Sequence, residues 1–177
     1  GHVTIQHPDY LALPSIKRTV EDGVAAVRTA KELDGVKDAV GRIAGDLMLA
    51  TASQSYGAMF FAIDPASESE KTLAFLGGNV EGEFLGSAGA KGIVLGRTLA
   101  NNLEVGLGKK VVFTMTDKTG EIVSGLARVT GILSTGSDSM DAGLCMLGID
   151  TVRELVGYGK TEVTYVSVLL DDHLRSK

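Results

Sequence analysis

The sequence has a single cysteine, Cys145, among its 177 residues, so no intramolecular disulfide can form and core packing alone must hold the chain together. Cys145 sits in the apolar run 143–149 with no histidine close in sequence. That marks a buried structural thiol rather than a nucleophile, because apolar surroundings raise a thiol's pKa. Histidine is almost as scarce: His2, His7 and His173 are the only three, none lies three or four residues from another, and no zinc site is expected. Basic clusters are missing too. Lys and Arg number 17 against 22 Asp and Glu, a formal net charge of −5, and they are scattered. The positive stripe that nucleic acid demands is therefore excluded, and adhesion to anionic lipid head groups is disfavoured. No run approaches the roughly 20 apolar residues of a membrane-spanning helix, and no leader opens the chain, so this stretch is expected to be soluble as it stands. There is no initiator Met, and Gly1 and His2 look like a cloning remnant, which suggests an excised piece of a longer protein.

Catalytic signatures are absent in the same way. The segment Gly106, Leu107, Gly108, Lys109, Lys110 lacks the spacing of a phosphate loop and the Ser or Thr that would meet magnesium, and it precedes a strand; a turn with a left-handed glycine explains it. No serine stands in a G-x-S-x-G elbow, and Gly86, Ser87, Ala88, Gly89 does not replace one. Asp138 and Asp141 fall in a polar loop without the carboxylate density of a calcium site. Glu68 with Glu70, and Asp171 with Asp172, read as solvated carboxylates that nothing would drive toward general acid work. No cofactor and no enzymatic activity are expected.

What is present is an ordinary globular balance, 44% apolar and 22% charged, in a chain long enough to bury a core of its own. After an extended segment at 3–6, Pro8 and Pro14 break the chain, and Ser15 is placed to cap a helix carrying Ile16, Val20, Val24 and Val27 to about Lys31. Residues 36–51 suit a long strand with a bulge or bend at Gly45, and 56–63 suit its partner, with Ser53, Gln54 and Ser55 as the turn. Asp64 and Pro65 end that strand, and Ser67 begins a short polar helix with Glu68, Glu70 and Leu73. The glycine-rich stretch 76–92 reads as an irregular connection. The chain is thus one domain over 1–177, with the alternative that two subdomains meet near 76–92.

Beyond it, 93–95 forms a short buried strand and 98–103 a helix. Val111, Phe113 and Met115 alternate with polar positions, and Asp117, Lys118, Thr119 and Gly120 supply the turn before the chain returns over 121–133. A strand at 144–149, a helix opened by a capping box of Thr151 and Glu154, and a strand at 163–170 complete the pattern. No internal repeat stands out. Helices interspersed with hairpins give an α+β fold, with helix and β-hairpin units forming a mixed sheet region plus a second, mainly-β subdomain.

The run from Gly92 through Gly96, Arg97, Thr98, Leu99, Ala100, Asn101, Asn102 and Leu103 to Gly108, Lys109, Lys110 and Val111 resembles the periplasmic core domain of lipoprotein-releasing and MacB-type ABC transporter permeases. Three more pieces agree in order: Ile63, Asp64, Pro65; then Val129, Thr130, Gly131, Ile132, Leu133; then Asp141 ahead of a strand and helix. The resemblance implies a domain on the outer face of the bacterial cytoplasmic (inner) membrane, held between transmembrane helices of a membrane-embedded chain. It implies a second permease subunit and a cytoplasmic ATPase subunit as partners, and rigid-body motion that releases or exports lipoproteins or other hydrophobic cargo. In the carrier-recruiting lipoprotein permease the corresponding hairpin bears a long proline-containing hook. Here only Asp117, Lys118, Thr119 and Gly120 join the strands, so a soluble carrier is not expected, and these four residues, together with the glycine-rich stretch 77–89, are the expected moving or partner-contacting surfaces. The competing readings are a free-standing ligand-binding protein or enzyme, and a sensor or adhesion module on another membrane protein, since fold alone does not fix function.

Overall fold

The computed structural model describes residues 3–12 and 15–171, so Pro14, His2, His173 and Asp172 lie outside the described residues. The first strand, β1, is Val3–Gln6, and the first helix, α1, is Gly23–Glu32. The helix therefore starts well after Ser15. The Ser15 hydroxyl accepts from the Lys17 N–H at 3.2 Å and its carbonyl from Arg18 at 3.0 Å, which closes one turn and no more. Val20 then exchanges both backbone hydrogen bonds with Val163, at 2.8 and 3.0 Å, and Asp22 caps the real helix by accepting from the Ala25 N–H. Apolar residues four apart here serve an extended segment as well as a helix.

Strand β2 runs unbroken over Val36–Ala50 and turns into β3, Ser55–Ile63. Gly45 makes no bulge: the β2–β3 ladder is continuous from Ile43 opposite Ala62 to Ala50 opposite Ser55, and the one irregularity of β2 lies against β9 between Val36 and Asp38. The absent side chain at Gly45 instead makes room for the Phe60 ring. After Asp64 the chain makes a 3-10 turn at Pro65–Ser67 rather than a polar α-helix, and a second at Ala74–Gly77. The stretch expected to be irregular carries a short strand, β4, at Asn79–Gly82.

The remaining elements are β5 (Gly92–Gly96), α2 (Arg97–Leu103), β6 (Lys110–Thr116), β7 (Ile122–Ser134), α3 (Asp138–Gly143), β8 (Leu144–Gly148), α4 (Ile149–Val156) and β9 (Tyr165–Leu170). The last helix starts before Thr151, whose hydroxyl donates to the Ala90 carbonyl at 2.8 Å instead of closing a capping box. Asp138 and Asp141 belong to α3 rather than to a loop.

The strand pairs close into a ring. β2 pairs β3, β3 runs parallel to β8, β8 pairs β5, β5 runs parallel to β7, β7 pairs β6, and β6 returns to β2 through Met48 opposite Thr114 and Ala50 opposite Val112. β9 lies on the same edge of β2 as β6, end to end with it, and carries β1 on its outer side. Leu49, Phe60, Ile93, Leu95, Val111, Phe113, Val129, Cys145 and Leu147 fill the interior, and α2 and α4 add Leu99, Leu103, Val152 and Val156. A smaller cluster of Ile63, Val94, Leu133, Leu144 and Met146 on the other side of those strands is covered by Leu73 and Leu85, so residues 73–85 have a packing role.

The ring also holds an internal repeat that the sequence hides. A hairpin followed by a strand and a helix occurs twice, as β2–β3 with β5–α2 and as β6–β7 with β8–α4. Each strand–helix junction is Leu-Gly, at Leu95–Gly96 and Leu147–Gly148, and each helix is followed by Gly-x-Gly-Lys, ending at Lys109 and Lys160. Like elements of the two copies pair with each other, β2 with β6 and β5 with β8, both antiparallel, as a two-fold relation requires. Gly96 is needed for proximity rather than for its dihedral: a Cβ there would lie 2.2 Å from the Asp141 carbonyl oxygen. Gly108, at φ 82°, does take the left-handed turn expected of it.

Candidate functional site

The four residues expected to touch partners sit at the tip of the β6–β7 hairpin, and the tip is folded onto the body. Asp117 organises it: one carboxylate oxygen accepts from the Thr119 hydroxyl at 2.7 Å and from the N–H groups of Thr119 and Glu121, both at 2.9 Å. The Thr119 hydroxyl first, and those backbone N–H groups after it, hold this exposed carboxyl below its ordinary value. Gly120 completes the turn at φ 93°.

Lys118 points back. Its backbone N–H donates to the Val156 carbonyl at 2.9 Å, its ammonium donates to Glu162, and it lies 5.8 Å from the centre of the Tyr158 ring. Glu162 also accepts from the Thr19 hydroxyl and from the Gly159 N–H. Burial pushes the Glu162 carboxyl up, but the bonds from Lys118 and Thr19 outweigh it and leave the group below its ordinary value. Tyr158, whose hydroxyl donates to the Ile16 carbonyl, is raised by burial. The tip is thereby tied to the α4–β9 connection and to the segment before α1, leaving Thr119 and Gly120 as its exposed part.

A larger feature lies on the outer face of β7, β6, β2 and β3. Alternation along β6 and residues 122–128 of β7 turns Val111, Phe113 and Met115 inward and puts even-numbered residues outside, and register lines these up in rows. Arg128 stands opposite Lys110, Leu126 opposite Val112, Ser124 opposite Thr114, and Ile122 opposite Thr116. The rows continue across the ring, from Val112 to Ala50 and from Thr114 to Met48 and Gly57, while Asp46 faces Met59. Ile122 is 77% exposed and Leu126 58%, and Val112, Met48 and Met59 are exposed with them. Between Met48, Met59, Thr114 and Ile122 lies an open groove of about 660 Å³. Methionines suit such a face, because their flexible thioethers repack against differently shaped apolar partners.

Sequence reasoning read the alternation at 111–116 but took its inward face as the whole message. The signal for the outer face was that Val112, Leu126 and Ile122 hold positions where a solvated sheet face carries polar residues.

The other sequence candidates are structural. Cys145 is fully buried and its thiol is pushed far up by burial. Asp141 is buried and accepts from the N–H and hydroxyl of Thr135, at 3.0 and 2.7 Å, which ties α3 to the end of β7. Glu68, expected on a solvated face, is instead buried against Arg42. Among the described residues no cluster of three or more His, Cys, Asp and Glu could hold a metal ion, and no helix is long and apolar enough to cross a membrane.

The sequence model of the MacB-like periplasmic core domain matches residues 1–176. No curated protein matches. The fold is similar to the crystal structure of the extracellular domain of the ABC-type transporter YknZ from Gram-positive bacteria, with a TM-score of 0.62 and 16% identity over 96% of this chain and 84% of that one. It is also similar to the periplasmic region of MacB from Actinobacillus actinomycetemcomitans, with a TM-score of 0.60 and 16% identity over 96% of this chain and 73% of that one.

Proposed function

From the premise that this chain belongs to the family of MacB-like periplasmic core domains, the extracytoplasmic part of an ABC transporter permease, we propose that it is a transmission element that moves hydrophobic cargo. On this reading a cytoplasmic ATPase subunit supplies the work, a second permease subunit stands beside this one in the cytoplasmic membrane, and the domain passes motion outward without chemistry of its own. The observation that carries the reading is the continuity of β2. One 15-residue strand is bonded to the β1–β9 ribbon at its first half and to β3 and β6 at its second. A displacement applied where β9 ends, at Leu170 beside Val36, is carried along a hydrogen-bonded strand of roughly 45 Å to the exposed apolar face. A packed ring with few voids transmits such a displacement as a rigid body.

Lipoproteins are the cargo class that the apolar, methionine-bearing face supports best. The short tip, tied down through Lys118, supports transfer without a recruited soluble carrier. The test purifies the membrane-embedded full-length protein in detergent. An ATPase subunit is expected to co-purify, and its turnover is expected to rise with an acylated lipoprotein. Absence of any ATPase partner, or saturable binding of a soluble lipoprotein carrier, contradicts the corresponding part.

A further inference from the structure

Lys110 and Arg128 face each other directly across β6 and β7 at one end of the exposed apolar face. Like charges in that position repel, and among the described residues neither forms an ion pair. The pair stands out in a chain whose net charge is −5. The Arg128 guanidinium gives one N–H to the Gly108 carbonyl, which fixes its direction and leaves its other donors open. The next row holds Val112 and Leu126, the third Thr114, Ser124 and Met48, and beyond it stand Ile122 and Met59.

From this arrangement, and resting on the transporter reading above, we infer that the outer face of β6 and β7 docks an extended segment of a partner protein that carries a carboxylate followed, two residues on, by apolar side chains. A strand presents alternate side chains about 6.6 Å apart on one face, which is the spacing of these rows, so its carboxylate meets Lys110 and Arg128 as its next inward residue meets Val112 and Leu126. Two cations side by side are suited to a bidentate carboxylate.

Position argues against the membrane as occupant. The cations lie beside the Ala50 end of β2, whereas Leu170, where the chain leaves β9, lies beside Val36 at the opposite end of that strand. A second copy of this chain is a poorer fit, because Asp46 is the one carboxylate its matching face offers to two cations.

The test places a photoreactive amino acid at Val112 in the full-length protein in its native membrane, and maps the adducts by mass spectrometry. The expected adduct is a protein segment with Asp or Glu two residues from an apolar side chain. Its yield is expected to fall roughly tenfold in Lys110→Glu with Arg128→Glu, and to recover when the mapped carboxylate is replaced by lysine. Lys110→Gln with Arg128→Gln, which adds no acidic charge, is expected to lower the yield partway. Adducts only to lipid, only to a second copy, or to nothing overturn the inference, as does a yield indifferent to these substitutions. ATPase co-purification from the same membranes separates the two readings: a retained ATPase with no adduct overturns the docking segment alone, and a missing ATPase overturns the transporter reading beneath it.

Discussion

Arg42 forks onto Glu68, with Nε donating to Oε1 at 2.7 Å and Nη2 to Oε2 at 2.9 Å, while the two side chains keep only 6% and 1% of their surface exposed. Nη2 also reaches the Thr72 carbonyl, and the Thr72 hydroxyl donates to Glu68, so the pair pins residues 68–72 against β2.

Breaking this pair strands a buried charge. Glu68→Ala is expected to cost about 3–5 kcal/mol in urea denaturation, whereas Arg42→Met combined with Glu68→Leu is expected to recover most of that loss. A double variant no more stable than Glu68→Ala contradicts the account.

The Lys118–Glu162 bond sets a pH dependence whose sign is fixed. Glu162 has its carboxyl below the ordinary value of 4.5 in the folded chain, so it stabilises the fold above that value and the contribution is lost as pH falls through the folded pKa. The denaturation midpoint is expected to fall between about pH 6 and about pH 3, and Lys118→Met is expected to flatten that fall while costing about 1 kcal/mol at neutral pH. A profile unchanged by Lys118→Met contradicts the assignment.

Gly96→Ala puts a methyl group against the α3 backbone, 2.2 Å from the Asp141 carbonyl oxygen. Backbone cannot rotate away as a side chain can, so a loss of about 1–3 kcal/mol is expected. Gly89→Ala, at a position with open space around the added atom, is the control and is expected to stay within about 0.5 kcal/mol.

Ile122→Ser and Leu126→Ser remove the two most exposed apolar side chains of the outer face. Both are expected to leave stability within about 0.5 kcal/mol while lowering cargo transport by the full-length protein. Thermal melts read the first and a vesicle transport assay the second; full transport in the double variant removes the face from the mechanism.

The parts of the fold legible in the sequence are those set by local alternation. Val111, Phe113 and Met115 against Lys110, Val112 and Thr114 write β6 plainly, and the turn residues Asp117 and Gly120 close its hairpin. What stayed hidden depends on neighbours distant in the chain. Glu68 reads as solvated until Arg42 is brought to it, and Thr151 reads as a cap until Ala90 offers its carbonyl. The start of α1 was misplaced because Val20 satisfies its backbone through Val163, a partner no local pattern announces. The ring was invisible for the same reason: two of its pairs, β3 with β8 and β5 with β7, are parallel and join segments far apart in sequence. The outer face needed that ring before Leu126 and Met48 could be seen to share a surface.

The closed ring has a consequence for crowding. A sheet grows by recruiting strands at its open sides, and the six ring strands have each of their sides taken by a neighbour for part of their length. The strands with one side wholly open among the described residues are β1 and β4, four residues each. A second domain pressed against this one therefore meets only short open strand edges on which a continuous sheet could grow.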